Sequence, residues 1–157
     1  KISHHLSQET TAYTADLYID GRKAAWARND GNGGCDFYQP VDAAGRRLID
    51  KAEAHFSTQT AVLNGVAFPG GLETEVARLL DAHETKKNLQ REMRKGIVCI
   101  ESGKLMLYPA RPGDPLKPGK PGFDKLVQDI TQRHPGSVAL NSLPIEEAVE
   151  KVLAMPA

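Results

Sequence analysis

Hydrophobic and polar residues alternate over residues 13–19, near the start of the chain. A period of two is typical of a β-strand that presents one set of side chains on each face. The dipeptide that follows, Asp20-Gly21, favours a two-residue hairpin turn because glycine tolerates positive φ. We therefore expect a β-hairpin over residues 12–38, whose returning strand carries the only tryptophan, Trp26.

Beyond this hairpin the apolar residues recur every three or four positions, which is the period of an amphipathic helix. This pattern predicts one helix over residues 41–56 and a longer one over residues 72–94. Gly96 is a suitable stop for the longer helix. The stretch between the two helices, residues 57–71, carries glycine and proline turn signals and is expected to be irregular.

A second hairpin is expected where apolar runs at residues 97–100 and 105–108 flank a turn. Both runs are apolar on both faces, so we expect both strands near the centre of a sheet. The remaining predicted elements are a helix from Phe123, a short strand at 138–140 and a helix that begins at Pro144.

Between these elements, prolines fall at every third position over residues 109–122. Polyproline II has three residues per turn, so this segment is expected to be a stiff, extended arm. The order of elements predicts a single α+β domain over residues 1–157. Its mainly antiparallel sheet would be built from the two hairpins and covered by about four helices.

Charge and cysteine content narrow the class of protein. The chain has 20 basic and 20 acidic residues, so it lacks the global charge typical of proteins that bind nucleic acid or anionic membranes. Its two cysteines, Cys35 and Cys99, are too few for a disulfide scaffold. No stretch approaches the roughly 20 apolar residues needed to span a bilayer. These features predict a cytoplasmic protein with no membrane partner.

The glycine-rich turn at residues 29–35 is the most unusual local feature. Glycines allow a backbone to approach a ligand or to bind an anion, so a sensor of a small anion is one alternative function. The turn lacks the lysine of a phosphate loop, the spacing of a dinucleotide fingerprint and the closing glutamate of a calcium loop. A wide turn at the end of a strand explains the same residues.

Three histidines precede a hydroxyl residue by two positions, which is the motif of two-histidine phosphodiesterases. The residues of this alternative catalytic site are His5 with Ser7, His55 with Ser57, and His83 with Thr85. The motifs lack the flanking apolar strands of that family, and surface histidines explain them equally. Apart from the adjacent His4-His5, no histidine or cysteine has a zinc-ligand spacing, and we expect neither a metal nor a cofactor.

Two groups of residues are candidate binding surfaces. One combines the returning strand of the first hairpin with the glycine-rich turn, and the other is a basic cluster at the end of the long helix, where cations could contact phosphates. Cations at this position also interact favourably with the helix dipole. The first surface consists of Trp26, Asp30, Asn32 and Tyr38, and the second of Lys87, Arg91, Arg94 and Lys95.

Several stretches together carry a resemblance to a group of proteins. They are residues 15–21, residues 29–34 with Tyr38, the basic segment before residues 97–100, and residues 140–144 with Glu147-Ala148. The chain resembles uncharacterised bacterial proteins carried on phages and plasmids, most sharply over residues 15–38. The resemblance implies a bacterial or phage cytoplasm and an accessory role, and it assigns no catalytic residue.

Small proteins of mobile elements often act by binding a host protein or a nucleic acid, including as inhibitors of defence systems, and this step is an association only. Together with the failure of each catalytic template, this favours a binding protein over an enzyme. We therefore expect a non-enzymatic accessory protein whose partner is a host or phage protein, or a nucleic acid. The sequence carries no signal for an oligomeric state.

Overall fold

The computed structural model describes residues 2–5, 12–63 and 66–155. It confirms the α+β class, because the described residues form helices and antiparallel sheets. The chain divides into two compact units, residues 1–78 and residues 79–157, which are described separately. The two predicted hairpins lie in different sheets, one in each unit. The expectation of a single domain remains a prediction.

A four-stranded antiparallel sheet is the main feature of the first unit. Its strands, in both chain order and spatial order, are β1 (Ile2–His5), β2 (Ala12–Ile19), β3 (Arg22–Asn29) and β4 (Phe37–Pro40). The predicted hairpin is confirmed as β2 and β3. At its turn, Asp20 and Gly21 adopt φ values of 51° and 76°. Both values are positive, as a two-residue type I′ hairpin turn requires.

Helix α1 (Ala43–Phe56) packs against β3, as its apolar stripe predicts. The Asp42 carboxylate caps the helix by accepting a hydrogen bond from the Gly45 amide at 2.6 Å. At Gly45 the helix approaches the Ala24 carbonyl so closely that a Cβ atom would not fit. The small, buried side chains of β3 and the glycine of α1 therefore allow the helix to lie directly on the strand.

The stretch expected to be irregular contains a hairpin, β5 (Thr60–Leu63) and β6 (Val66–Pro69). The prediction of irregular structure was therefore wrong for these residues. Each strand has only four residues, and Val62 is exposed, so the segment lacks the buried alternation that identifies longer strands. Helix α2 (Leu72–Glu92) follows and contains the boundary between the two units.

The second unit has a three-stranded antiparallel sheet in the order β8-β7-β9. Its elements are β7 (Gly96–Glu101), β8 (Lys104–Pro109), α3 (Phe123–Arg133), β9 (Val138–Ala139), a 3₁₀ turn at Leu140–Ser142, and α4 (Ile145–Leu153). The predicted hairpin is confirmed as β7 and β8. Only β7 is central, and β8 lies at the edge with Leu105 and Met106 exposed.

Apolar side chains cover both faces of β7. Val98 packs with Leu89 of α2 and Ala148 of α4, whereas Cys99 packs with Phe123 of α3. The only buried polar side chain among the described residues is Asn141. Its amide group joins β7 to the segment before α3. Asn141 accepts from the Val98 amide at 2.8 Å and donates to the carbonyls of Gly96 at 3.1 Å and Leu116 at 3.2 Å.

Turns interrupt the proline-rich segment between β8 and α3. The Asp114 amide donates to the Arg111 carbonyl at 3.0 Å, and the Lys120 amide donates to the Lys117 carbonyl at 3.3 Å. Gly113 adopts a φ of 92° within the first of these turns. The prolines therefore do not form one continuous extended run, because glycines between them reverse the direction of the backbone.

Candidate functional site

The solvent-facing side of the four-stranded sheet combines aromatic, cationic and polar side chains. Directly paired residues share a face of a sheet, and so do residues two positions apart on one strand. Thr14 pairs with Arg28, which in turn pairs with Phe37. In the next row, Asp16 pairs with Trp26, which pairs with Gln39. We call this surface the exposed face.

Two aromatic rings on neighbouring strands dominate the exposed face. Trp26 on β3 is 50% exposed, and Phe37 on β4 is 52% exposed. They are diagonal neighbours, because Phe37 pairs with Arg28 and lies two positions before the partner of Trp26. Side chains in this diagonal arrangement are about 7–8 Å apart, so a ligand of modest size could contact both rings.

Each ring lies beneath a cation. The Lys23 ammonium is 4.7 Å from the centre of the Trp26 ring, and the Arg28 guanidinium is 5.2 Å from the centre of the Phe37 ring. Both distances fall within the range of cation–π attraction. Lys23 also forms an ion pair with Asp16 at 2.6 Å. The two rings are thus presented in the same way, as an aromatic surface with a positive charge beside it.

A groove of about 710 Å³ follows this face. Its lining includes the side chains of Ser3, Thr14, Asp16, Trp26, Arg28, Phe37 and Gln39. Asp16 and Arg28 are the charged residues among those that line the groove in the described part of the chain, and Asp16 is neutralised by Lys23. The groove can therefore offer apolar stacking, neutral hydrogen bonds and the charge of Arg28 to one ligand.

Tyr38, which the sequence grouped with Trp26, points to the opposite face of the sheet. It pairs with Ala27, one position away from the pair of Trp26 and Gln39. Its hydroxyl donates to the Asp36 carboxylate at 2.8 Å, and the hydroxyl of Tyr13 donates to the same oxygen at 2.5 Å. Burial, followed by these hydrogen bonds, raises the pKa of both tyrosines far above the ordinary value. Tyr38 therefore helps to hold the sheet together on its inner side.

The glycine-rich turn is organised by hydrogen bonds within the unit. Asn29 accepts from the Gly31 amide at 2.8 Å and donates to the Gly34 carbonyl at 2.9 Å. The Asp36 amide donates to the Glu73 carboxylate at 3.2 Å. Because the Gly31 amide is engaged within the turn and the carboxylates of Asp36 and Glu73 lie beside it, this geometry does not favour a small anion. The expected site residues Asp30 and Asn32 are exposed in the turn, and neither is among the described residues that line the groove with Trp26.

The basic cluster is spread over the end of α2 and the turn beyond it. Lys87 and Arg91 lie on the helix, whereas Arg94 and Lys95 follow its last residue. The closest approaches of this cluster to carboxylates are Lys87–Glu84 at 3.9 Å, Arg91–Glu92 at 3.3 Å and Lys95–Glu92 at 2.8 Å. The pKa of Glu92 is lowered, chiefly by its hydrogen bond from Lys95. These glutamates reduce the positive field that a phosphate would meet.

The residues of the two-histidine alternative lie on or next to helices where the structure describes them. His55 is in the last turn of α1 beside Gln59, and the Ser57 hydroxyl donates to the Ala54 carbonyl at 3.0 Å. His83 and Thr85 lie on α2. The backbone of His5 is in β1, whereas its side chain and Ser7 lie outside the described residues. The strand setting of the phosphodiesterase motif is therefore absent at His55 and His83.

A second group of titratable side chains lies in the other unit. Glu101 of β7 accepts from the Tyr108 hydroxyl at 2.9 Å and contacts the His134 ring nitrogen at 2.9 Å. The rings of Tyr108 and His134 are 4.8 Å apart. Burial and the hydrogen bond to Glu101 raise the pKa of Tyr108 to about 12. These contacts connect β7, β8 and the end of α3, so we interpret the role of this group as structural.

Sequence reasoning identified Trp26 but missed its companions on the exposed face. Phe37 follows the glycine-rich turn and belongs to a four-residue strand, which is too short to show a period. The spacing of Trp26 and Arg28, two positions apart on β3, was the available signal of this face, because it places both side chains on the same side of the sheet. The partners contributed by β2 and β4 depend on strand register, which the sequence did not specify.

No family model matches the chain, and no curated protein or solved structure is significantly similar to it. Within the described residues, no three histidine, cysteine or carboxylate side chains come together as a possible metal site. Among the described helices, none is long and apolar enough to cross a membrane.

Proposed function

We propose that this chain is a non-enzymatic binding protein that recognises its partner through the exposed face. The observation that carries this proposal is the pair of half-exposed rings, Trp26 and Phe37, each with a cation beside it. Tryptophan and arginine are enriched at the energetic centres of binding surfaces. Covering the two rings would remove apolar area from water, which is the main favourable term in association.

The composition of the groove supports binding rather than catalysis. Among its described lining residues, Asp16 is the only carboxylate, and it is paired with Lys23. General acid–base chemistry needs a group with an available proton or lone pair close to its substrate. A carboxylate neutralised by an ammonium group beside an aromatic ring is better suited to orienting a ligand.

The biological setting follows from the resemblance to phage and plasmid proteins. In that setting the protein is an accessory factor of a mobile element and acts on a host macromolecule in the bacterial cytoplasm. Occupying a host protein or a host nucleic acid would be sufficient for such a role, including inhibition of a defence system. This function needs an exposed recognition surface and no reaction.

Site-specific photo-crosslinking in bacterial cells tests whether the exposed face meets a partner. A benzoyl-phenylalanine at Gln39 lies within the groove, whereas the same residue at Arg47, which is exposed on α1, is the matched control. We expect a crosslinked species from position 39 that is absent from position 47. In the Trp26→Ala background, the product from position 39 should decrease at least severalfold.

Treatment of the crosslinked species with nuclease and with protease identifies the class of partner. A product that depends on Trp26 supports the proposed function, whether its partner is protein or nucleic acid. Equal products from positions 39 and 47, or a product unaffected by Trp26→Ala, would contradict it. Unfolding curves of each variant confirm that loss of crosslinking does not arise from loss of the fold.

A further inference from the structure

We infer that the ligand of the exposed face is single-stranded nucleic acid, an inference that rests on the proposed function. The face presents the same unit twice on neighbouring strands. One unit is Trp26 with Lys23, and the other is Phe37 with Arg28. In each unit a flat apolar surface lies next to a positive charge. A ligand that matches both units repeats a flat ring and a negative charge along its length.

A single strand of DNA or RNA has this repeat. Its bases stack on aromatic side chains, and its phosphates pair with lysine and arginine. A neutral oligosaccharide would satisfy the rings and leave the charge of Arg28 unmatched, whereas Lys23 is already paired with Asp16. A peptide carries an aromatic or acidic side chain only at particular positions. The repeated ring-and-cation unit therefore fits a nucleic-acid strand better than either.

The strand must be single because the bases of a duplex are stacked on each other and cannot lie against Trp26 or Phe37. The rings stand on the surface of a sheet, where two unpaired bases could lie side by side. Thr14 and Gln39 flank the rings on the same face and offer neutral donors and acceptors to base edges. Stacking on two rings with few directional contacts predicts weak sequence preference.

The local charge of the groove is compatible with a polyanion although the chain as a whole is neutral. Of the two charged residues that line the described groove, Asp16 is paired with Lys23, and Arg28 contributes its positive charge. The cores of protein–protein interfaces are mainly apolar. Here the two rings share the groove with the polar and charged side chains of Thr14, Asp16, Arg28 and Gln39, so a nucleic-acid strand is the better match.

The chain contains one tryptophan, so intrinsic fluorescence reports directly on the exposed face. The experiment titrates the 157-residue chain with 12-nucleotide oligo(dT) and oligo(U), and with a 12-base-pair DNA duplex as the control ligand. We expect saturable quenching of Trp26 fluorescence by a single-stranded probe and none by the duplex. With one phosphate contact, at Arg28, raising the salt from 50 to 200 mM should weaken binding about 2.5-fold.

Variants connect the quenching to the second ring-and-cation unit while leaving the reporter in place. Phe37→Ala should weaken binding about tenfold or more, and Phe37→Tyr should restore most of the affinity. Arg28→Glu should also weaken binding, whereas Arg47→Glu, an equal change of charge at an exposed position of α1, should not. Equal effects of the two charge reversals would show non-specific attraction and would overturn the inference.

The outcomes separate this inference from the proposed function on which it rests. Absence of quenching by both single-stranded probes, together with a Trp26-dependent crosslink to a protein, would overturn the inference and leave the proposed function standing. Absence of quenching and of any Trp26-dependent crosslink would overturn both. Equal quenching by the duplex would also contradict the inference, because a duplex cannot stack its bases on the rings.

Discussion

The guanidinium carbon of Arg28 lies 5.2 Å from the centre of the Phe37 ring, across the pairing of β3 and β4. A cation–π contact at an exposed site contributes about 0.5–1 kcal/mol to stability. This gain is small compared with the free energy that burying a phenylalanine would provide. The contact with Arg28 therefore offsets only a small part of the free-energy cost of exposing half of the Phe37 ring to water. A ligand that covered the ring would remove that cost.

Removing the exposed rings should leave the fold nearly intact. We expect Phe37→Ala and Trp26→Ala each to lower the free energy of unfolding by less than about 1 kcal/mol, because both side chains are half exposed. Phe123→Ala is the matched control, because Phe123 is 2% exposed and its loss should cost about 3–5 kcal/mol. Urea unfolding measures all three. A cost above about 2 kcal/mol at Trp26 would indicate that its ring is mainly structural.

The tyrosines on the inner face of the sheet should make stability depend on alkaline pH. Burial and the hydrogen bonds to Asp36 raise the folded-state pKa of Tyr13 and Tyr38 above the unfolded value of about 10. The contribution of the two tyrosines to the free energy of unfolding is thus fully present below pH 10. It is lost as the pH rises above 10, because the unfolded chain then releases protons that the folded chain retains.

Urea unfolding at pH 8 and pH 11 checks this expectation. The unmodified protein should lose more stability between these values than Tyr13→Phe/Tyr38→Phe, which keeps the rings and removes the ionising hydroxyls. Tyr18→Phe is the control, because Tyr18 is 58% exposed. An equal loss of stability in the double variant and the unmodified protein would show that other groups determine the alkaline limit.

The longer elements could be predicted because their periods extend over enough residues. The alternation in β2 and the helical stripes of α1 and α3 each repeat several times, so the pattern identified them. The four-residue strands β1, β4, β5 and β6 were missed because two alternations do not distinguish a strand from a loop. Tertiary pairing, rather than local pattern, makes these segments strands.

The composition of the exposed face could not be predicted because it depends on register. Trp26 pairs with Gln39, whereas Tyr38 pairs with Ala27. A shift of one residue in the β3–β4 pairing would exchange the faces of Phe37 and Tyr38. The sequence shows two aromatic residues side by side after a flexible turn. Only the pairing of the strands determines which of them meets solvent and which meets Asp36.

The buried amide of Asn141 should be among the most sensitive positions of the second unit. Asn141 is 5% exposed and bonds the backbone of Val98, Gly96 and Leu116. Asn141→Leu would leave these groups without their partner and should cost about 2–4 kcal/mol in the free energy of unfolding. Chemical denaturation measures the loss. Asn88→Leu, at an exposed position of α2, should cost under about 1 kcal/mol, and equal costs would contradict this account.

The close approach of α1 to β3 makes a final prediction. Gly45 is buried, and a Cβ atom there would collide with the backbone carbonyl oxygen of Ala24, which cannot rotate away as a side chain could. Gly45→Ala should therefore destabilise the first unit by about 3 kcal/mol or more, although alanine is the better helix former. Gly34→Ala is the control, because open space surrounds that position. If thermal unfolding showed Gly45→Ala to be neutral or stabilising, α1 would have room to move away from the sheet.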